Sequence, residues 1–214
     1  MKDDFFQNHK ILLDDAINAI EQRGYFSAYP EVPSGKIYGD TAKQDGLAAF
    51  EGYKNSTFEL QQDSNGDTLG EERSPYGFKM NTQYPSVDLD VLFATMQSGS
   101  VDWRNATIET RVGCALEIIH RLNRRSFEIG FSVMHTTGQG FMMAFQAGGP
   151  HAQDRGLEAV AYAYKAMKDC PHEVTWKKQV GKDDFVTLHK EFKIVPRGIG
   201  LVIGCSTFPT WNTY

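Results

Sequence analysis

The run Ile199-Gly200-Leu201-Val202-Ile203 is the tightest constraint in this sequence. It is bounded by Pro196-Arg197-Gly198 before and by Phe208-Pro209 after. An apolar stretch of strand length without polar alternation is apolar on both faces. Such a strand belongs inside a parallel sheet, with neighbours on both edges and helices over both faces. No earlier stretch supplies a second strand of that type, and no internal repeat is present. The expectation is a chain that stops at Tyr214 just as an α/β domain begins.

Most of the chain before that run reads helical. From Asp3 to Gln22, Phe6, Leu13, Ile17 and Ile20 recur at helical spacing, with Gly24 as the stop. Tyr29 to Gly39 is rich in Pro and Gly and reads as an irregular connection. Thr41 to Tyr53 is a second helix, with Leu47 and Phe50 on one face. Gln61 to Tyr84 is polar and glycine-rich, which predicts a long surface loop. Ser86 is placed to cap a helix through Leu89, Leu92, Phe93 and Met96, ended by Gly99. Thr107 caps the next, with Glu109 in its first turn and Ile108, Val112, Leu116, Ile119 and Leu122 as its stripe. A helix over Phe127 to Met134 follows, then Gly138-Gln139-Gly140, then Phe141 to Gln146. Gly148-Gly149-Pro150 is a firm stop. Ala152 to Asp169 is helical again, closed by Pro171.

At Glu173 the period changes from helical to alternating. Val174-Thr175-Trp176, the turn cluster Gly181-Lys182-Asp183-Asp184 and the run Phe185 to Val195 predict an antiparallel hairpin. Val186, Leu188, Phe192 and Ile194 share one face of its second strand, with Lys190 the exception.

The net charge of −5 and pI near 5.7 argue against nucleic acid or an anionic membrane as partner. With a mean hydropathy of −0.42, no apolar run approaches the roughly 18 residues of a membrane helix. The start, Met1-Lys2-Asp3-Asp4, lacks the pattern of a signal peptide. Cys114, Cys170 and Cys205 are widely spaced and form no CxxC pair. That usage fits a reducing cytoplasm, without disulfides or structural zinc.

No catalytic constellation emerges from the residues themselves. The glycines of Gly198-Ile199-Gly200 to Gly204 lie within the predicted strand, whereas a dinucleotide fingerprint must follow a strand and open a helix. Asp63-Ser64-Asn65-Gly66-Asp67 resembles the start of a calcium loop, but Thr68 and Ser74 stand where the glycine and bidentate Glu are needed, so it reads as a solvated turn. The six histidines show no metal-ligand spacing, and His120 reads as a packing residue. Cys205 has no base or oxyanion site in sequence reach and reads as a small apolar residue.

The order of elements and their wording resemble the N-terminal part of the aldehyde dehydrogenase superfamily. Trp103 followed by Thr107-Ile108-Glu109-Thr110-Arg111 is similar to the family's tryptophan and capped, arginine-bearing helix. Gly138-Gln139-Gly140 falls at its "E-x-G-K" break, and Pro196 to Ile203 at its "P-x-G-V-x-x-x-I". Phe208-Pro209 falls at the end of its "P-W-N-F-P". The stretch Phe141 to Gly156, with Ser74-Pro75-Tyr76-Gly77 and Cys205 to Asn212, resembles the phenylacetate-degradation (ring-opening) type along nearly the whole chain.

That resemblance implies an α/β parent enzyme of which this chain is an N-terminal fragment. The fragment itself is mainly α-helical, with a C-terminal β-hairpin and one Rossmann-type strand. Residues 1–101 would form a helical extension with its long loop, and 102–172 the helical part of the coenzyme-binding domain. Residues 173–197 would be the bridging hairpin that pairs with another subunit in a homo-oligomer, and 198–214 the first coenzyme-sheet strand. It implies NAD or NADP as cofactor, contacted by Ile203, Gly204, Cys205 and Ser206, and a small aldehyde as substrate. The family's nucleophilic cysteine and water-activating glutamate fall outside this sequence, so the chain alone is expected to be inactive. Thr207 stands where the family has its oxyanion asparagine, with Asn212 nearby. The alternative from another class is a complete, non-catalytic helical module that binds a protein partner.

Overall fold

The structure is a computed structural model that describes residues 4–214. Asp3, expected in the first helix, lies outside the described residues. The helices are α1 (Phe5–Gln22), α2 (Gly35–Tyr38), α3 (Ala42–Tyr53), α4 (Leu89–Asn105), α5 (Ile108–Asn123), α6 (Ser126–Thr137), α7 (Phe141–Gly148) and α8 (Pro150–Lys168). Two antiparallel ribbons complete it: β1 (Thr68–Leu69) with β2 (Tyr84–Pro85), and β3 (Glu173–Gln179) with β4 (Phe185–Glu191).

The main core is a three-helix arrangement of α1, α5 and α8. Phe6, Leu13 and Ala16 meet Val112, Leu116 and Ile119, and Leu157 and Ala161 close the third side. These are the positions the helical period singles out, because residues three and four apart share a face. Gly113 sets the spacing between α1 and α5, since a Cβ there would lie 2.5 Å from the Phe6 backbone nitrogen. Thr107 caps α5 as expected, its Oγ1 accepting the Thr110 N–H at 3.0 Å. His120 is half-buried against His9, ring centres 5.2 Å apart. A second cluster joins α3 to α6 and α7 around Phe50, Phe131 and Met80.

Several local expectations are corrected. Arg23, not Gly24, takes the left-handed conformation that ends α1, with φ of 54°. The Tyr29–Gly39 connection contains the short α2, capped by Ser34. On α3 the buried residues are Gly46 and Phe50, whereas Leu47 is exposed. Asp88 caps α4 in place of Ser86, accepting the Asp90 and Val91 N–H groups at 2.8 and 3.2 Å. The Ser86 N–H is instead given to the Asp67 carbonyl, extending the β1–β2 ribbon. Gly99 does not end α4; the helix continues through it to Asn105. One glycine in a helix interior costs only about 1 kcal/mol against Ala, too little to stop a capped helix.

The polar stretch 61–84 is not a free loop. It is pinned by β1–β2, by the bridge Arg73↔Lys79, and by burial of Ser74, Met80 and Thr82. The calcium-like stretch closes on itself as a turn, with Asn65 Oδ1 accepting the Asp67 N–H at 2.9 Å.

The hairpin forms with Trp176 opposite Leu188, Val174 opposite Lys190 and Lys178 opposite Val186. Its second strand stops at Glu191, short of Val195. Both faces are exposed along both strands, including the apolar face of Val174, Trp176, Val186 and Leu188. The expected strand Ile199 to Ile203 is not formed as part of any ladder. A parallel strand exists only by hydrogen bonding to neighbours, and no described strand lies beside this one. Leu201 is 85% exposed and Ile203 81%.

Candidate functional site at the C-terminal turn

The residues singled out for coenzyme contact, Ile203, Gly204, Cys205 and Ser206, lead into a compact turn over Ser206 to Thr213. Gly204 lies close beneath that turn. A Cβ there would come 2.6 Å from Thr213 Oγ1 and 2.8 Å from the Pro209 carbonyl oxygen, so only glycine fits. Cys205 Sγ accepts the Phe208 N–H at 3.4 Å and the Asn212 Nδ2–H at 3.0 Å. The Phe208 N–H, foremost, holds the exposed Cys205 thiol below the usual thiol range. Asn212 is thus engaged with Cys205 and the Phe208 carbonyl. Thr207 presents its carbonyl to the protein body.

Three anchors fix the turn to the helices. Gln139 Nε2 donates to the Thr207 carbonyl. Thr210 Oγ1 donates to the Gly148 carbonyl at the end of α7, at 2.8 Å. The Trp211 ring lies 4.6 Å from His151 in the first turn of α8, and His151 Nδ1 is 3.0 Å from Glu31 Oε1.

Gln139 is itself held from the polar stretch 61–84. Gly138, at φ of 81°, turns the chain after α6 and brings it against Pro75. The Tyr76 hydroxyl donates to the Gln139 carbonyl at 2.9 Å. Beneath this contact Ser74 Oγ and His135 Nδ1 are 3.1 Å apart. Phe50 stacks on the His135 ring at 4.7 Å, and Tyr76 and Phe78 flank it. Burial, then the charge of Lys54, pushes the His135 pKa below its ordinary value, against an opposing pull from Glu51. Tyr76, His135 and Gln139 were not singled out as site residues. The signals that mark them are the helix break Gly138-Gln139-Gly140 and the tight Ser74-Pro75-Tyr76-Gly77 turn.

The segment 203–206 offers one flank of a site. It presents exposed backbone and the exposed Ile203 side chain, with no charged group of its own. It does not open a helix, so it builds no cradle for a pyrophosphate. The segment is an open flank that encloses no ligand by itself. Among the described residues no three His, Cys, Asp or Glu side chains are grouped to hold a metal ion. No described helix is long and apolar enough to cross a membrane.

No family model matches the chain, and no curated protein matches it. Among solved structures it is similar to an NAD-dependent aldehyde dehydrogenase from Burkholderia multivorans, at 51% identity and a TM-score of 0.96. The match covers 100% of this chain and 38% of that one, so the chain spans little more than a third of its length. This likeness supports the aldehyde dehydrogenase superfamily, as the sequence motifs imply.

Proposed function

We propose that this chain is the N-terminal part of an NAD(P)-dependent aldehyde dehydrogenase that oxidises an aldehyde to the acid, of the phenylacetate-degradation type. The observation that carries the reading is agreement along the whole chain at 51% identity with an NAD-dependent aldehyde dehydrogenase. The unpaired apolar run 199–203 supports it. A strand apolar on both faces is costly in water and suits a sheet that further chain would supply. In this reading residues 203–206 lie along the coenzyme, NAD or NADP, and the anchored turn holds them in place. The nucleophile and the water-activating carboxylate are not assigned to any residue here. The exposed apolar face of β3–β4 is proposed as the contact through which subunits pair. A cytoplasmic setting fits the three unpaired cysteines.

Two measurements test the reading. The 214-residue chain, assayed with NAD and NADP against aromatic and aliphatic aldehydes, is expected to show no turnover. Turnover would mean that the chemistry resides in these residues after all. Reading the source DNA beyond the Tyr214 codon is the more direct test. A frame that stays open and encodes a cysteine motif supports the reading. A genuine stop codon defeats it for this gene product and leaves the non-catalytic helical module.

A further inference from the structure

The peptide group between Thr207 and Phe208 is gripped from both sides. Its carbonyl oxygen accepts the Gln139 Nε2–H. Its N–H is given to Cys205 Sγ at 3.4 Å. In a trans peptide such as this one the two groups point in opposite directions, so a side chain that fixes the carbonyl also aims the N–H. A hydrogen bond accepted at the carbonyl also polarises the N–H and strengthens it as a donor. That N–H is the foremost cause of the lowered Cys205 pKa.

Gln139 makes this contact against an opposing term. Its Oε1 is buried with no hydrogen-bond partner among the described residues. An unpaired buried acceptor is unfavourable, and an apolar side chain of the same length would avoid it. What the amide provides is the Nε2 donor at Thr207. Gln139 is braced in turn. Its N–H goes to Thr137 Oγ1 at 3.2 Å, and its carbonyl accepts the Tyr76 hydroxyl at 2.9 Å. Tyr76 reaches it from the polar stretch 61–84, where its own N–H is given to Ser74 Oγ at 3.2 Å and its ring meets the His135 ring at 5.3 Å. Contacts therefore run unbroken from that stretch, through Tyr76 and Gln139, to the 207–208 peptide and the Cys205 thiol.

We propose that Gln139 and Tyr76 are positioning residues for the coenzyme flank: Gln139 orients the 207–208 peptide, Tyr76 holds Gln139, and together they set the backbone of residues 203–206. This role rests on the dehydrogenase reading above. It gives the polar stretch 61–84 a task in the enzyme, as the brace behind the coenzyme side of the site.

Cys205 is the reporter. In the 214-residue chain, iodoacetamide alkylation of Cys205 is followed against pH by mass spectrometry of its peptide, with the exposed Cys170 as internal reference. Circular dichroism first checks that each variant keeps its helices. Gln139→Met keeps the length and removes the donor. The midpoint of the Cys205 profile should rise by about 0.5 pH unit, a roughly threefold smaller thiolate fraction at pH 7, while that of Cys170 stays in place. Tyr76→Phe removes only the hydroxyl and should give a smaller shift of the same sign. In the Gln139→Met background Tyr76→Phe should add nothing, because it acts through Gln139. Thr210→Val removes a different anchor of the same turn and should leave the midpoint where it is. An unchanged midpoint in Gln139→Met overturns the inference and leaves the dehydrogenase reading standing. An equal shift in Thr210→Val, which would mean general loosening of the turn, overturns it too, as do additive shifts in the double variant. A genuine stop codon after Tyr214 defeats the dehydrogenase reading and the coenzyme role with it, whatever the profiles show.

Discussion

α4 and α5 follow one another in the chain, and little in their sequences separates them. They are 17 and 16 residues long, each is capped by a side-chain oxygen, and each carries an apolar stripe at helical spacing. α5 buries Val112, Leu116 and Ile119 against α1 and α8, whereas α4 buries nothing. The difference lies in what the rest of the chain provides. α5 has Gly113, which admits α1 to close contact, and Leu157 and Ala161 on its other side. Periodicity names the face that must be covered; it does not name the cover.

The largest expected effect is the direct test of that contrast. Leu116 is 0% exposed, so Leu116→Ala should destabilise the chain by about 3 kcal/mol through lost burial and the cavity left behind. Met96→Ala, on the α4 stripe, should change the stability of the same chain by no more than about 0.5 kcal/mol. Urea titration followed by circular dichroism reads both. Similar losses would mean that α4 is packed after all.

The two glycines sharpen the contrast because their substitutions should differ in sign. Gly113→Ala places a methyl 2.5 Å from a backbone nitrogen of α1, which must push the helices apart, at about 2 kcal/mol. At Gly99 nothing lies within 4 Å, so Gly99→Ala should strengthen α4 by about 1 kcal/mol of helix propensity. A rise in helical signal for Gly99→Ala beside a fall in midpoint for Gly113→Ala is the expected pair of results.

Legibility in the sequence followed the same division. The apolar stripes of the core helices α1, α5 and α8 are readable because their partners are also in the chain. The Thr107 cap of α5 is met, but α1 ends at Arg23 rather than Gly24, and α8 starts at Pro150, within the expected stop, rather than at Ala152. The hairpin was readable because its pairing is local. The composition of 199–203 reads as a strand, but a parallel strand is made by neighbours, and no strand lies beside it among the described residues. The anchored turn was half-legible. Glycines and Phe208-Pro209 marked the place, but Gln139 and Tyr76 act across 68 and 63 residues of sequence separation, which no local pattern records.

A cap should matter globally only where its helix is part of the core. Thr107→Ala removes the acceptor of the Thr110 N–H and should cost about 1 kcal/mol of global stability. Asp88→Ala removes acceptors for two N–H groups of α4. It should fray that helix, seen as faster exchange at its start, without moving the urea midpoint.

The smallest effect expected is at the seam between the two regions, where His135 sits between the core and the polar stretch 61–84. Its pKa is depressed in the folded state, by burial first and then by Lys54, so the unfolded chain binds its proton more readily. The neutral ring therefore contributes stability in full above the ordinary histidine pKa near 6.5, and that contribution is lost as the pH falls through the folded-state value. A protonated ring would also turn Nδ1 into a donor toward Ser74 Oγ, which already accepts the Tyr76 N–H at 3.2 Å. His135→Phe keeps an aromatic ring against Phe50 but cannot titrate. Comparing unfolding midpoints of the two proteins between pH 7.5 and 5 isolates this group, because His120, whose pKa is also depressed, is common to both. The wild type should lose more stability on acidification than the variant, with faster exchange concentrated at residues 74–77. Equal pH dependence would show that the Ser74–His135 contact does not hold the turn.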